Sequence, residues 1–332
     1  MIYGNPGKLL GRCGMNKKIL VSGGAGFIGS HLIEEILNRG DEPIILKRSH
    51  SNLWRISASL ERLTLYDIDN ISLEEIFKKE GLYSVVNLAV YYRKIHSYAD
   101  IGEMIETNVK LPAKLLELCK NYDVGSFITA GSFFQYDSNV KFIGPESPIL
   151  ARNFYAATKN ALERLLEYYV SVSDVNIIEL ILFTPYGEMD DPNKVIPYII
   201  RQAIKDEDIA LTDGFQKINP VYVKDIVSAL VKAAEVSNHL SISNYRLNIA
   251  NSIPYSIREI ATVVEEILKK KLKLEWGQVG TKQVDAQQAL SVDTTNTEKV
   301  IRWTPKFSIH EGIERTINYH RGLTNGNRES SD

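Results

Sequence analysis

The chain reads Val21-Ser22-Gly23-Gly24-Ala25-Gly26-Phe27-Ile28-Gly29-Ser30-His31 where its fold is decided. The residues just before this stretch, 18–21, are mainly apolar and β-branched, which indicates a buried strand. Residues 31–39 place leucine and isoleucine at helical spacing, and Gly40 follows as a predicted C-cap. The glycines therefore lie on a turn that leads from a strand into a helix.

The three glycines spaced three residues apart each have a task in such a turn. Gly23 permits the tight bend, Gly26 lets the backbone approach a pyrophosphate, and Gly29 lets helix and strand pack closely. The start of the helix then offers free N–H groups and partial positive charge to phosphates. Because strand and helix both flank the glycines, the sequence predicts a dinucleotide-binding site. The predicted cofactor contacts in this turn are Gly23, Ala25, Gly26, Phe27, Ile28 and Gly29.

Composition narrows the class of protein further. The length of 332 residues is typical of one large domain or two smaller ones. A net charge of −2 provides no basic field for nucleic acid, and no apolar run reaches the ~18 residues of a membrane span. Two cysteines make neither a disulfide framework nor a zinc site. We therefore expect a cytoplasmic globular protein with no metal, nucleic acid or membrane partner.

Short apolar strands alternate with helices along the rest of the chain, which predicts an α/β fold. We expect a Rossmann-type doubly wound parallel sheet in residues 17–185 and a smaller α/β C-terminal substrate lobe in residues 186–320, with some crossing of the chain between them. Two of the predicted helices span residues 104–119 and 155–169. Residues 1–16 and 321–332 are predicted to be a disordered extension and a disordered tail.

The end of the second predicted strand bears on the choice of cofactor. In a dinucleotide fold this end faces the adenosine ribose, where an acid suits NAD and cations suit the 2′-phosphate of NADP. The strand ends at Lys47 and Arg48 with no acid beside them, which favours NADP(H); NAD(H) remains the alternative, with both cations as solvated loop residues. The other predicted cofactor contacts are Asp67 and Ile68 after the third strand, Leu88 and Ala89 after the fourth, and Tyr155 and Lys159.

Tyr155 and Lys159 lie at i and i+4, on one face of a predicted helix. A free tyrosine has a pKa of about 10 and is a poor acid or base near neutrality. A neighbouring ammonium favours the phenolate, so we expect Lys159 to lower the pKa of Tyr155. The pair then makes a proton donor or acceptor, and Ser132 follows the fifth strand nearby.

Taken together, these residues resemble the extended short-chain dehydrogenase/reductase family of nucleotide-sugar epimerases, dehydratases and reductases, from about residue 17 to 318. The resemblance is carried by Gly23-x-x-Gly26-x-x-Gly29, Tyr155-x-x-x-Lys159, Asp67-Ile68, Asn87-Leu88-Ala89, Asn108-Val109, Tyr186-Gly187, Tyr222-Val223-Lys224-Asp225, Asn248-Ile249-Ala250 and Arg302-Trp303-Thr304-Pro305. It implies a catalytic tetrad of Asn108, Ser132, Tyr155 and Lys159. In such enzymes the serine holds the substrate oxygen, the tyrosine moves the proton, the lysine holds the nicotinamide ribose, and the nicotinamide carries the hydride.

Phe133 and Phe134 help to separate the reactions within this family. The 4,6-dehydratases place an Asp-Glu pair after the serine or threonine, and an apolar pair cannot replace it as acid and base. Two readings remain: NADPH-dependent reduction of a keto group, at C4, or epimerisation with a tightly bound NAD. The stretch around Ser132 is most similar to the CDP-abequose synthase type of 4-keto-6-deoxyhexose reductase, which favours reduction. A non-catalytic NADP-binding member of the family is a third reading.

The resemblance also implies a substrate, a nucleotide-diphosphate sugar carrying CDP, dTDP or GDP, and a homodimer formed through helices 104–119 and 155–169. Where relatives carry a phosphate-binding arginine, this chain has Ile218, so Lys194, Lys217 or Lys282 is expected to supply the charge. The predicted substrate contacts are Tyr91, Ser132, Phe133, Phe134, Thr184, Lys194, Val195 and Lys217.

Overall fold

The computed structural model describes residues 16–144, 146–236, 245–280 and 291–329, with side chains as far as residue 323. The predictions made for residues 1–15, for Lys282 and for residues 330–332 lie outside these ranges. In the described part of the chain, no helix is both long enough and apolar enough to cross a membrane.

The elements follow one another in an alternating order. The strands are β1 (Lys18–Ser22), β2 (Glu42–Lys47), β3 (Thr64–Asp67), β4 (Ser84–Asn87), β5 (Ser126–Ser132), β6 (Phe142–Ile143), β7 (Asn176–Leu182), β8 (Thr184–Tyr186), β9 (Ile209–Ala210), β10 (Lys217–Ile218), β11 (Pro220–Tyr222), β12 (Arg246–Ile249), β13 (Tyr255–Ser256), β14 (Leu274–Glu275) and β15 (Ser291–Val292). The helices are α1 (Phe27–Asn38), α2 (Leu73–Glu80), α3 (Asp100–Ile105), α4 (Leu111–Asn121), α5 (Phe154–Val172), α6 (Val195–Lys205), α7 (Val223–Ala234), α8 (Ile257–Leu268), α9 (Thr295–Ile301) and α10 (Ile309–Glu329).

Seven of the strands form one parallel sheet in the order β12-β7-β5-β4-β1-β2-β3. The order runs outward in both directions from β1 and β4, so the chain changes direction between these two strands. In doubly wound sheets, ligands bind in the crevice at the carboxyl ends of the strands on either side of such a switch point. The predicted Rossmann-type α/β fold is confirmed.

Helices cover both faces of the sheet, which is why its strands are almost uninterrupted apolar runs. α1 and α7 pack on one face, where Leu32 and Leu230 belong to the same buried cluster. α2, α4 and α5 pack on the other face through Phe77, Leu116 and Leu162. The two faces therefore carry two separate hydrophobic cores.

A third core lies outside the sheet, between α6, α8 and α10, and contains Ile199, Ile260 and Ile313. The chain between these helices returns to the sheet: α7 packs on one face of it, and β12 pairs with β7 as the last strand at that edge. α10 continues to Glu329, so its last turns lie within residues 321–332, for which a disordered tail was predicted.

Asp225, in the first turn of α7, joins this lobe to the sheet. Its carboxylate accepts the backbone N–H groups of Lys306 and Phe307 at 2.9 and 3.1 Å, and its carbonyl oxygen accepts the indole N–H of Trp303 at 2.9 Å. Two of the segments that carried the family resemblance, 222–225 and 302–305, thus meet at Asp225: Trp303 binds its carbonyl oxygen, and the two residues that follow the second segment bind its carboxylate.

The helix predicted over residues 104–119 is interrupted. A π-helical turn at Glu106–Lys110 separates α3 from α4, and Pro112 stands in the first turn of α4. Proline has no N–H to donate to the carbonyl four residues earlier, which here belongs to Asn108. A wider turn accommodates that missing hydrogen bond, and it places Asn108 in the π-helical segment.

Candidate active site

The glycine turn between β1 and α1 leaves no room for side chains. Gly23 has a φ of +71°, and a Cβ atom there would lie 2.6 Å from the backbone nitrogen of Ala89. A Cβ atom on Gly29 would lie 2.3 Å from the carbonyl oxygen of Gly23. The N–H of Leu88 donates to the carbonyl of Ser22 at 3.0 Å. The turn and the end of β4 therefore lie together, as a dinucleotide site at this crevice requires.

Ser132, Tyr155 and Lys159 meet at the carboxyl end of β5. Ser132 ends that strand, while Asn153 caps α5 by accepting the N–H of Ala156 at 2.8 Å. The Ser132 side chain is close enough to the Tyr155 phenol to lower its pKa. The Lys159 ammonium donates to the carbonyl oxygen of Ala130 at 2.8 Å. The hydroxyl of Ser132, the phenol of Tyr155 and the ammonium of Lys159 thus lie near one another, two strands away from the glycine turn.

The pKa expected for Tyr155 is wrong in direction. Burial raises the pKa of Tyr155 and the nearby Tyr92 raises it further, while the Ser132 side chain lowers it. The Lys159 ammonium lies 5.9 Å from the centre of the tyrosine ring and is directed at a backbone carbonyl. Burial also lowers the pKa of Lys159 to about 8, against an opposing effect of Glu179.

Asn108 is fully engaged by the protein. Its amide oxygen accepts the N–H of Tyr91 at 2.8 Å, and its amide nitrogen donates to the Tyr91 carbonyl and the Thr158 hydroxyl, both at 3.0 Å. Thr158 is the residue before Lys159. Asn108 therefore fixes the loop after β4 against the helix that carries Tyr155, and it acts by positioning these elements.

The two cations at the end of β2 have acidic partners. The Lys47 ammonium lies 2.9 Å from the Asp67 carboxylate, and Arg48 pairs with Glu103 and donates to the Thr107 hydroxyl at 2.8 Å. The Lys47 hydrogen bond is the main cause that lowers the pKa of Asp67 to about 2. No acid adjoins these two cations in the sequence, because both partners come from other elements, Asp67 from β3 and Glu103 from α3. Ile68 donates its N–H to the Lys47 carbonyl at 2.9 Å, which brings it to the same edge.

Of the aromatic residues predicted to contact substrate, Phe133 lies in the core and Tyr91 lies in the loop after β4. Phe133 is buried and stacks on Phe183 with ring centres 5.7 Å apart, so it packs in the core, and its contact with the substrate stays a prediction. The Tyr91 hydroxyl donates to Asp100 at 3.0 Å. Its neighbour Tyr92 instead packs its ring edge-on against Tyr155, 4.9 Å between centres.

Phe134 is partly buried against the same core. The other predicted substrate residues lie on the C-terminal lobe and its junction with the glycine turn. Lys194 pairs with Asp190 at 2.7 Å, and its ammonium lies 5.4 Å from the ring centre of Phe27 in the first turn of α1. Val195 begins α6, Thr184 begins β8, and Lys217 lies on β10. Lys194 thus brings a positive charge next to the glycine turn.

Two residues of this site, Gln135 and Glu179, were not predicted from the sequence. Tyr92 covers Tyr155, while Gln135 and Glu179 lie behind Ser132. Glu179 had a visible signal, because it is a lone carboxylate within the apolar run of β7. A charge in a buried strand is costly unless it has a partner, so its position already indicated a special contact.

Comparison with known proteins shows the family to which this chain belongs. The model of the NAD dependent epimerase/dehydratase family matches residues 19–250. The chain therefore belongs to the NAD dependent epimerase/dehydratase family. The match confirms the resemblance drawn from the motifs, and it supports a nicotinamide cofactor.

Particular relatives match over almost the whole chain. CDP-abequose synthase of Salmonella muenchen is 27% identical over 306 residues, which cover 91% of this chain and 98% of that protein. UDP-glucuronate 4-epimerase of Thermodesulfobacterium geofontis is 27% identical over 321 residues, covering 91% and 95%. A structure of UDP-glucuronic acid 4-epimerase from Bacillus cereus, in complex with UDP-glucuronic acid and NAD, has a TM-score of 0.80 at 25% identity, covering 92% and 99%.

Proposed function

We propose that this protein uses NADPH to reduce the C4 keto group of a nucleotide-diphospho-deoxysugar. The observation that carries the proposal is that Ser132, Tyr155 and Lys159 come together at the carboxyl end of β5. The likeness to CDP-abequose synthase over nearly the full length of both chains supports a nucleotide-sugar substrate.

The residues at this site suit a proton donor beside a nicotinamide. The bound cofactor supplies the hydride. The Ser132 hydroxyl holds and polarises the substrate oxygen, and the Tyr155 phenol protonates that oxygen as negative charge develops on it. Lys159 holds the nicotinamide ribose. The glycine turn holds the pyrophosphate, since its N–H groups and close backbone approach fit a phosphate.

The protonation state of Tyr155 favours reduction over epimerisation. Because burial raises its pKa, the phenol keeps its proton at neutral pH. Reduction of a carbonyl needs that proton at once, whereas epimerisation starts with an oxidation that needs a base. Phe133 and Phe134 leave no acid pair beside Ser132 for a dehydratase reaction.

NADP(H) remains the proposed cofactor. Lys47 and Arg48 lie at the end of β2, where a 2′-phosphate would be bound. Their pairing with Asp67 and Glu103 means that a phosphate would compete with carboxylates for both cations. The preference can be measured directly by comparing the dissociation constants of NADPH and NADH for the wild type and for Arg48→Ala. We expect the variant to weaken NADPH binding more than NADH binding.

The reaction is tested by mixing the purified protein, NADPH and a CDP- or dTDP-4-keto-6-deoxyhexose, and by following cofactor absorbance and the sugar product. We expect one NADPH consumed per keto sugar reduced. A parallel assay supplies NAD and UDP-glucuronic acid, because a UDP-glucuronate 4-epimerase is an equally long match. Interconversion of epimers with no net change in cofactor, together with NAD retained through purification, would establish the epimerase instead.

A further inference from the structure

Glu179 is a buried carboxylate directly behind the site. It lies in the middle of β7, opposite Thr129 of β5, and is 0% exposed. One oxygen, Oε1, accepts from the Gln135 amide nitrogen at 3.3 Å. The other, Oε2, is buried without a hydrogen-bond partner in the described part of the chain. Burying a carboxylate oxygen without a hydrogen bond or an opposite charge costs free energy.

Gln135 connects this carboxylate to Ser132. While its amide nitrogen donates to Glu179, its amide oxygen accepts the backbone N–H of Ser132 at 2.7 Å. A glycine makes the approach feasible, since a Cβ atom on Gly131 would lie 2.8 Å from both the Gln135 and the Glu179 oxygen. A continuous hydrogen-bonded path thus runs from Glu179 to the main chain of Ser132.

Glu179 also belongs to a buried group of four charges whose formal sum is zero. Two are cations, Lys159 on α5 and Arg246 on β12, and two are anions, Glu163 on α5 and Glu179 itself. Arg246 pairs with Glu163 and also acts on Glu179, while Glu179 is the anion that raises the pKa of Lys159. The groups that face Glu179 from the surrounding elements are Lys159, Glu163, Arg246, Gln135, Tyr136, Tyr155 and Tyr245.

We propose that Glu179 is a positioning residue of the site: through Gln135 it fixes the main chain at Ser132, and through its charge it keeps Lys159 protonated for binding the nicotinamide ribose. The inference rests on the proposed function in one respect, the assignment of Lys159 to the cofactor. It adds a residue on a neighbouring strand that the tetrad does not contain.

The direction of the electrostatic effect can be worked out. Burial lowers the pKa of Lys159, and the Glu179 carboxylate opposes that decrease; burial and the neighbouring Glu163 in turn raise the pKa of Glu179. A nearby anion favours the ammonium. Removing the charge therefore lowers the pKa of Lys159, and the cation is lost at lower pH.

The test measures the dissociation constant of NADPH by protein fluorescence across pH 6 to 10. In the wild type we expect binding to weaken as Lys159 loses its proton. Glu179→Gln keeps the size of the side chain and an oxygen for Gln135, and we expect it to move the midpoint of that weakening down by about one pH unit. Gln135→Leu, which removes the donor to Glu179, should move it less and in the same direction.

Glu163→Gln is the matched control, because it removes an equally buried carboxylate that is paired with Arg246. Its midpoint should not move down, because Glu163 raises the pKa of Glu179 and its loss leaves the Glu179 carboxylate ionised. Thermal unfolding shows that each variant is folded. Equal midpoints in wild type and Glu179→Gln would overturn the inference while the proposed function stands, as would equal shifts in the Glu163 and Glu179 variants. NADPH binding by no form at any pH would overturn both.

Discussion

Lys159 is 3% exposed and donates its ammonium to a single backbone carbonyl. Burial lowers its pKa from 10.5 to about 8 in the folded protein. Between these two values the unfolded chain binds more protons than the folded one, so the free energy of unfolding rises with pH in that window. Below pH 8 both states carry the charge, and the full cost of burying it is present. The site therefore holds its cation at the expense of stability.

Replacing this residue makes that cost measurable. We expect the free energy of unfolding of Lys159→Met to be higher than that of the wild type at pH 7. This difference should shrink by on the order of 3 kcal/mol between pH 8 and 10.5, since one pKa unit corresponds to about 1.4 kcal/mol. Urea denaturation at several pH values gives the difference. Lys120→Met, on the exposed end of α4, should show no such trend; a difference independent of pH for Lys159→Met would contradict the prediction.

Tyr155 allows a sharper test of chemistry against folding. Tyr155→Phe keeps the ring that packs against Tyr92 and removes only the hydroxyl. We expect turnover of the keto sugar to fall by about 10² to 10⁴, the range for loss of a general acid, with the dissociation constant of NADPH and the unfolding temperature unchanged. Tyr92→Phe is the control and should stay within a few-fold of wild type. Full turnover by Tyr155→Phe would rule out the phenol as the proton donor.

At the scale of single elements, the glycine turn is the part of the site that local sequence determines most fully. A Cβ atom on Gly29 would meet the carbonyl oxygen of Gly23 at 2.3 Å and the Cα atom of Gly24 at 2.7 Å, and neither backbone atom can move without opening the turn. We expect Gly29→Ala to cost about 1 to 3 kcal/mol of stability and to weaken NADPH binding at least tenfold.

Gly102 provides the comparison within the same chain. It lies inside α3, and a Cβ atom there would have no heavy atom within 4 Å. Alanine is favoured over glycine in a helix by about 0.5 to 1 kcal/mol, so Gly102→Ala should be neutral or slightly stabilising and should bind NADPH normally. Thermal unfolding and fluorescence titration measure both effects. Equal behaviour of the two variants would show that close packing at the turn is unimportant.

The elements were predictable where the signal is local. The capping box of Ser72 and Glu75, the helix that carries Tyr155 and the strands of the parallel sheet follow from neighbouring residues. What could not be predicted depends on residues distant in sequence. Lys47 pairs with Asp67 on the next strand. The π-helical turn at Asn108 is caused by a proline four residues later, whereas the apolar periodicity of this stretch predicts one continuous helix.

The same limit explains the error at Tyr155. Spacing places Lys159 one helical turn away, but spacing does not tell where an ammonium points. The carbonyl of Ala130 takes the hydrogen bond from Lys159, and burial, which depends on the whole fold, decides the pKa of the phenol. Membership of the site was predictable from sequence, whereas the electrostatics of the site required the packed structure.

At the scale of the whole molecule, the outer side of α5 presents apolar residues to solvent. Leu165, Tyr168 and Val172 lie at i, i+3 and i+7, on one side of the helix. Tyr168 and Val172 are 55% and 42% exposed, and Ile105 at the end of α3 is 42% exposed. Exposed apolar groups gathered on neighbouring helices are typical of an interface. They fit the homodimer that the family resemblance implies.

We therefore expect sedimentation velocity to give twice the mass of the chain for the wild type. Replacing Tyr168 and Val172 by glutamate places two charges on this side of α5, and burying them in an interface would cost several kcal/mol. The double variant should therefore sediment as a monomer. Its unfolding midpoint in dilute solution should be equal to that of the wild type or lower. Phe215→Glu changes an exposed aromatic residue elsewhere, 72% exposed, and should remain a dimer. A double variant that keeps the wild-type mass would show that the molecule associates through another surface or that this side of α5 faces solvent.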